Sequence, residues 1–262
     1  MSAPDPSTSD PTINTRATSA PMARLPEIHL LCMLDEYTTA FTDAVARHCP
    51  DLPSFTQITH HNCALKYLPQ DQRFDAVVSP ANSYARLDGA FDDALARVYG
   101  PPGDYDWITR KAQKVVYEQW GGAMGWGGKE PKNPWGTEYL LLCPTMRMPS
   151  NVVWDREVVY ECVWSLLCAV DNHNDSVRRR NRSLEGAADP GRHSPREIRS
   201  ILMTPLATGV GRVSAQRWAS QCVIAMKHYA EAVANPEVWG KLSWDKASED
   251  HEEVVETYKN EI

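Results

Sequence analysis

Short apolar runs alternate along the chain with longer segments in which apolar residues recur at helical spacing. The runs are bounded by proline, glycine or polar clusters and are too short for helices, which is typical of strands buried on both faces. Strands that alternate with helices predict an α/β fold with a mostly parallel sheet. The predicted strands are Ile28–Met33, Phe55–Thr59, Asp75–Ser79, Tyr139–Cys143 and Ile201–Thr204. The predicted helices begin near Glu36, Asp88 and Arg156, span Trp107–Trp120, and include Trp218–Tyr229.

The central predicted strand runs directly into a polar turn and then into a helix. Val77 and Val78 are β-branched, and Pro80 ends the ladder because it has no backbone N–H to donate. The following helix begins with Asp88 as its predicted N-cap. In open α/β sheets, ligands bind at the carboxyl ends of the strands, where the N-terminal amides of helices attract anions. We therefore expect a binding site after this strand.

A second strand, turn and helix unit occurs at Thr204–Arg212. In a parallel sheet its turn emerges at the same edge as the first, so that the two turns can face each other across a crevice. Gly209 and Gly211 allow backbone N–H groups to approach an anion without interference from a Cβ atom. This arrangement suits a diphosphate, although the same glycines are also typical of an ordinary turn before a helix.

Composition divides the chain into one domain with two tails. Residues 1–24 are dominated by Ser, Thr, Pro and Ala, which predicts a disordered leader. The domain is predicted over residues 25–240, with residues 172–198 as an exposed polar insertion. Residues 241–262 are acidic and are expected to form a tail or a peripheral helix. The cluster Arg178–Arg182 is typical of a solvated surface, a docking patch for a polyanion or a nuclear localisation signal.

Charge and cysteine usage narrow the class of protein. The net charge of -7 argues against broad nucleic-acid binding, which needs a basic surface. Seven cysteines occur without a C-x-x-C pair, which indicates reduced thiols rather than a zinc site or a disulfide framework. His60 and His61 are adjacent and follow a predicted strand, so that a loop is a better interpretation than a metal site. No stretch is long enough to span a membrane. We expect an intracellular protein, cytoplasmic or nuclear, without a membrane partner, a metal or a cofactor.

Two motifs resemble those of the macro domain family. The string F-D-A-V-V-S-P-A-N-S at Phe74–Ser83, with D-G-A-F-D at Asp88–Asp92, is similar to the family patterns D-A-I-V-N-A-A-N-S and G-G-G-V-D. It is closest to the subgroup written V-S-P-A-N-S. The string T-P-L-A-T-G-V-G at Thr204–Gly211 resembles the family loop P-x-x-G-T-G-x-x-G and lies between the last strand and the last long helix. The resemblance covers about Glu27–Ala234.

The resemblance implies a three-layer α/β/α fold that binds ADP-ribose or an ADP-ribosylated protein. It implies that Asn82 lies beside the distal ribose and that Asp92 orients a ribose hydroxyl or a water as a general base, which makes these the candidate catalytic residues. From the residues alone, Asn82 is also typical of a turn that bonds its own backbone, and Asp92 of a favourable carboxylate in a first helical turn. The remaining candidate ligand-binding residues are Ser79, Ala81, Gly89, Ala90 and Phe91, with Thr208, Gly209, Val210, Gly211 and Arg212 for the diphosphate.

The sequence departs from the family pattern around both ends of the implied ligand. His61-Asn62 stands where the family has a G-D-I triplet whose aspartate reads adenine, so that adenine recognition is left open. The glycine run beside the distal ribose is reduced to Gly89-Ala90 behind Asp88, and Ser79 replaces the first asparagine of N-A-A-N. These changes leave the position of a catalytic water open.

A connection rich in Gly, Pro and Trp follows the third predicted helix, over residues 124–135. Its irregular composition makes it a candidate rim or lid. Trp126 and Trp135 within it are typical either of stacking on a base or of packing in the core and rim.

Three functions fit the same crevice. The first is hydrolysis that removes ADP-ribose from a protein or a small-molecule acceptor, a scheme that requires no metal. The second is a module that binds ADP-ribose or a related nucleotide without turnover. The third is a phosphatase that acts on an ADP-ribose phosphate. A plain interaction scaffold would require the pair of loops to be a coincidence.

Overall fold

The structure is a computed structural model and describes residues 25–118, 122–125, 133–183 and 194–259. The predicted leader, residues 1–24, lies outside the described residues. The strands are β1 (Glu27–Leu31), β2 (Ile58–His61), β3 (Ala76–Ser79), β4 (Gly122–Gly125), β5 (Tyr139–Leu142) and β6 (Ser200–Met203). The helices are α1 (Asp35–His48), α2 (Ala90–Tyr99), α3 (Trp107–Glu118), α4 (Val158–Ser183), α5 (Ala215–Ala234), α6 (Pro236–Trp239) and α7 (Trp244–Val255).

The strands that the structure describes form one sheet in the order β2-β1-β6-β3-β5-β4. Neighbouring strands are parallel except for β4 and β5, which pair antiparallel. The prediction of an α/β fold with a mostly parallel, mixed sheet is therefore confirmed. Because parallel strands end at a common edge, the loops that follow β1, β6, β3 and β5 lie side by side.

Asp75 aligns the central strands at the opposite edge of the sheet. Its Oδ2 accepts hydrogen bonds from the backbone N–H of Arg199 at 2.8 Å and of Ser200 at 3.1 Å. Its carbonyl oxygen accepts from the N–H groups of Glu138 at 2.9 Å and of Tyr139 at 3.1 Å. One residue before β3 therefore holds the first residues of β6 and β5, and the three strands end level with one another.

Helices cover both faces of the sheet, in the three layers that were predicted. Alternate strand residues point to opposite faces. One face packs against α1, α4 and α5, and the other packs against α2 and α3. The first face presents Ile28, Leu30, Ala76, Val78, Leu141, Ile201 and Met203. The second presents Leu31, Val77, Leu140, Leu142 and Leu202.

The second strand lies farther along the chain than predicted and contains both adjacent histidines. His60 and His61 belong to β2 rather than to a loop, so the loop interpretation was wrong. Their side chains point to opposite faces, with His60 against Phe41 and His61 beside His29. Nδ1 of His29 and Nε2 of His61 are 3.0 Å apart. This cross-strand pair supports the observed register of β2 against β1.

Helix α4 is longer than the sequence predicts. It continues to Ser183, so that residues 172–183 form its last turns rather than part of a separate polar insertion. Polar residues here occupy solvent-facing helix positions, and Arg178 is paired with Asp175 at 2.5 Å and with Glu197 at 3.5 Å. A helix with one polar face and an exposed loop have similar composition, which explains why the sequence predicted an insertion where the helix continues.

Trp135 packs in the core and does not form a rim. It is 3% exposed, and its ring lies 5.8 Å from that of Phe74 and 6.1 Å from that of Tyr99. Its Nε1 donates to the carbonyl of Pro69 at 3.1 Å. Of the two interpretations that the sequence left open for Trp135, packing in the core is confirmed and stacking on a base is excluded by its burial. Trp126 lies outside the described residues.

The acidic C-terminal segment forms helix α7 and packs on α5. Val254 and Tyr258 are buried against Ile224. Next to them, Nε2 of the buried His228 lies 3.0 Å from Oε2 of Glu253. Within the described ranges, no helix is both long and apolar enough to cross a membrane.

Candidate functional site

A cleft of about 320 Å³ opens at the carboxyl edge of the sheet, where the loops after β1, β3, β5 and β6 meet. It contains both candidate catalytic residues and most of the candidate ligand-binding residues. The predicted residues that line it are Asn82, Gly89, Ala90, Phe91, Asp92, Thr208, Gly209, Val210 and Gly211. Two loops separated by more than 100 positions in the sequence therefore share one cleft, as the sequence predicts.

Three predicted ligand-binding residues do not line the cleft. Ser79 and Ala81 are fully buried below it, since they belong to the end of β3 and to the core turn that follows. Arg212 is exposed outside it, with a left-handed backbone at φ 60°. Burial keeps the side chains of Ser79 and Ala81 away from a ligand in the cleft, which corrects their predicted role. Arg212 is exposed to solvent and does not line the cleft.

The loop between β6 and α5 presents unused backbone donors to the cleft. Within the described part of the chain, the N–H groups of Gly209, Val210 and Gly211 have no hydrogen-bond acceptor. The loop is held by bonds from Arg212 N to Gly209 O at 3.1 Å and from Val213 N to Ala207 O at 3.1 Å. Successive backbone amides without acceptors are a common feature of anion-binding loops.

The two glycines of this loop differ in what a side chain would meet. A Cβ atom on Gly211 would lie 2.3 Å from the carbonyl oxygen of Ala207 and 2.9 Å from Cγ2 of Val152, so only glycine fits there. A Cβ atom on Gly209 would have no neighbour within 4 Å. Gly211 therefore shapes the loop, whereas Gly209 keeps the space above it open.

The N-terminus of α2 supplies a second set of donors to the same cleft. The N-cap is Gly89 rather than the predicted Asp88, and no side chain caps the helix. The N–H groups of Ala90 and Phe91 have no acceptor among the residues that the structure describes. Asp88 instead forms an ion pair with Arg86 at 2.5 Å. The positive end of α2 thus faces the cleft without a capping carboxylate.

Asp92 is a buried carboxyl group in the wall of the cleft. It is 6% exposed, and its Oδ1 accepts a hydrogen bond from the hydroxyl of Ser79 at 2.6 Å. Burial raises the pKa of Asp92 to about 7, the bond from Ser79 opposes this, and the charge of Asp88 adds to it. Near neutral pH, Asp92 therefore exists in both protonation states, as an acid–base catalyst requires.

The side chain of Asn82 is engaged in its own turn. Its Oδ1 accepts from the N–H groups of Tyr84 at 3.1 Å and Arg86 at 3.3 Å, and its Nδ2 donates to the carbonyl of Arg86 at 2.7 Å. This is the alternative that the sequence left open for Asn82. Only the second hydrogen of Nδ2 is free to reach a ligand in the cleft.

The opposite end of the cleft is apolar, and sequence reasoning missed it. Met33 and Leu34 follow β1 and are 72% and 57% exposed, and Tyr37 lies beside them at the start of α1. The signal in the sequence is that apolar residues continue beyond the end of β1 into the loop that follows. Nearby, Nδ2 of Asn62 donates to Oδ1 of Asp35 at 2.9 Å.

A larger cavity of about 840 Å³ lies at the amino edge of the sheet, around Leu25–Glu27 and the end of α4. Its volume alone would favour it as a ligand site. However, Arg178 in its wall is already paired with Asp175 and Glu197, and the predicted loops lie at the opposite edge of the sheet. The smaller cleft combines unused donors with a buried carboxyl group, so we take it as the candidate site.

No protein-family model matches this sequence, and no curated protein matches it at a significant level. The resemblance to the macro domain family therefore stays a prediction.

Alanine substitutions at the two glycines are expected to differ in their effect on stability, because Gly211 is crowded and Gly209 is not. Gly211→Ala should lower the free energy of unfolding by about 1–3 kcal/mol, because the new methyl group overlaps a backbone carbonyl. Gly209→Ala, the matched control, should change it by less than about 0.5 kcal/mol. Urea denaturation measures both variants. Equal stability of the two variants would contradict the close contact at Gly211.

Proposed function

We propose that this protein binds ADP-ribose in the cleft and releases it from a protein or small-molecule acceptor by hydrolysis. The proposal rests on one observation. Two sets of backbone N–H groups without acceptors and one buried carboxyl group line the same cleft. The donors are the N–H groups of Gly209–Gly211 and of Ala90-Phe91, and the carboxyl group is that of Asp92.

Backbone amides would hold the diphosphate. Each hydrogen bond to a charged oxygen contributes about 1.5–3 kcal/mol, and the N-terminus of α2 adds about 0.3–1 kcal/mol. Among the described residues that line the cleft, Arg86 is the cationic side chain, and it is paired with Asp88 at 2.5 Å and with Asp106 at 3.2 Å. Binding should therefore depend on amide geometry more than on the number of positive side chains.

The two ends of the cleft suit the two ends of such a ligand. Met33, Leu34 and Tyr37 form an apolar end on which a nucleobase can pack. Asn82 and Asp92 lie at the polar end, where a ribose would bring its hydroxyl groups and its anomeric carbon. The loop at Gly209–Gly211 also lines the cleft, and a diphosphate bound to it would join the base to the distal ribose.

Asp92 would act on the water that attacks the anomeric carbon. Its ionised carboxylate takes a proton from the water as the C–O bond to the water forms. The bond between the anomeric carbon and the acceptor oxygen breaks, and the proton passes to that oxygen. A positioned general base of this kind contributes about 10²–10⁴-fold in rate, and is most effective when its pKa lies near the working pH.

Binding without turnover is the second candidate, and the geometry of Asn82 favours it. The resemblance implies that this amide helps to hold the water. In the structure, three hydrogen bonds tie the amide to its own turn. If the single remaining hydrogen does not orient the water, the cleft would bind ADP-ribose without hydrolysing its linkage.

Calorimetric titration tests the binding step. Wild-type protein should bind ADP-ribose in preference to AMP and ribose 5-phosphate, because only the whole ligand fills both ends of the cleft. Gly209→Val should lower the affinity at least about tenfold, since its side chain would occupy the open space above the amides. Gly209→Ala is the size control and should lose less. Undiminished affinity in the valine variant would remove this loop from the diphosphate site.

Asp92→Asn tests the chemical step. Turnover of an ADP-ribosylated protein should fall about 10²–10⁴-fold while the affinity for ADP-ribose is retained. In the wild type, kcat should rise with pH through about 7, because the base acts only when ionised. The raised pKa also means that ionisation of Asp92 destabilises the folded protein, so the asparagine variant should be at least as stable above that pH.

Unchanged turnover in Asp92→Asn would exclude Asp92 as the base. Loss of binding together with turnover, at unchanged stability, would assign Asp92 to ligand binding instead.

A further inference from the structure

Ser79 is fully buried at the end of β3, in the middle of the sheet. Its backbone is held on one side because its carbonyl accepts from the N–H of Cys143 at 2.9 Å. Its hydroxyl group points away from the sheet ladder and lies 2.6 Å from Oδ1 of Asp92. The position of this hydroxyl is therefore set by the backbone of a central strand that is paired on both sides.

The two oxygens of Asp92 have different surroundings. Oδ1 accepts the hydroxyl proton of Ser79 and is enclosed with it. Oδ2 has no hydrogen-bond partner among the residues that the structure describes, and it is not among the buried polar atoms that are both unpaired and closed to solvent. Since Asp92 lines the cleft, Oδ2 is the oxygen that a water or a ligand in the cleft can reach.

We propose that Ser79 is a positioning residue for Asp92: its hydroxyl holds Oδ1, fixes the plane of the carboxyl group and directs the exchangeable proton to Oδ2 in the cleft. The expected effect of Ser79 on turnover rests on the proposed function. The hydrogen bond and its effect on the Asp92 carboxyl group can be tested without any substrate.

The arrangement has two physical consequences. A hydroxyl group that donates to a carboxylate stabilises the ionised form, so removal of the hydroxyl should raise the pKa of Asp92 further. The hydrogen bond also restricts rotation of the carboxyl group, because rotation would break the bond and leave Oδ1 buried without a donor. Without Ser79, the base would be protonated at neutral pH and less well oriented.

The variants for the test are Ser79→Ala, Ser79→Thr and Ser83→Ala. The alanine variant removes one oxygen atom, and the threonine variant restores the hydroxyl. Ser83→Ala is the matched control, because Ser83 lies in the turn after the same strand and donates to the carbonyl of Met146 at 3.2 Å rather than to Asp92. The carboxyl carbon of Asp92 is followed by carbon-13 NMR over a pH titration and assigned by its absence in Asp92→Asn.

We expect the pKa of Asp92 to rise by about one unit in Ser79→Ala and to stay unchanged in Ser83→Ala. At pH 7, kcat should then fall about fivefold and recover near pH 9, with KM little changed. Ser79→Thr should restore both values. If the alanine variant does not fold, Ser79→Cys takes its place, because a thiol is a much weaker donor than a hydroxyl and should also raise the pKa of Asp92. An unchanged Asp92 titration in that variant would likewise overturn the assignment.

An unchanged Asp92 titration in folded Ser79→Ala would overturn the assignment of Ser79. A shifted titration in a protein that neither binds nor hydrolyses an ADP-ribose compound would overturn the proposed function and leave the assignment of Ser79 intact.

Discussion

The hydrogen bonds of Asp75 to its two neighbouring strands determine where the loops of the cleft meet. Its carboxylate holds the start of β6, and its carbonyl holds the start of β5. Because a parallel sheet transmits this alignment to its other edge, Asn82 and the loop at Gly209–Gly211 emerge level with each other. The cleft thus depends on contacts that lie at the far end of the strands and touch no ligand.

The first turn of α2 combines backbone N–H groups without a cap and the buried carboxyl group of Asp92. The extended Gly89 and the left-handed Ala90 begin the helix without a side-chain cap, which leaves N–H groups directed at the cleft. The same turn buries Asp92 against Ser79. Desolvation outweighs the helix dipole, which alone would favour the carboxylate, and brings its pKa to about 7. One turn of helix therefore places backbone N–H groups without acceptors beside a carboxyl group with a raised pKa.

The sequence predicts the strands and turns that depend on the pattern of neighbouring residues. Apolar runs predict the parallel strands, and the turn chemistry after β3 and β6 identifies the two loops. The antiparallel strand β4 was missed, because it lies in a glycine-rich segment without an apolar run. The apolar run at Met33 and Leu34 is visible in the sequence, but its place in the cleft depends on β1 lying next to β6, which no local pattern supplies. Turn chemistry offered the occupied amide of Asn82 as one of two alternatives but could not choose between them. The crowding at Gly211 depends on distances between atoms that no spacing rule supplies. The length of α4 was missed because a polar helix face resembles an insertion.

Amide mapping by NMR tests the central claim most directly, namely that the cleft at the carboxyl edge is the ligand site. On addition of ADP-ribose to nitrogen-15-labelled protein, the resonances of Gly209, Val210 and Gly211 should shift most, together with those of Ala90 and Phe91. Shifts confined to the larger cavity around Leu25–Glu27, or none at saturating ligand, would contradict the account.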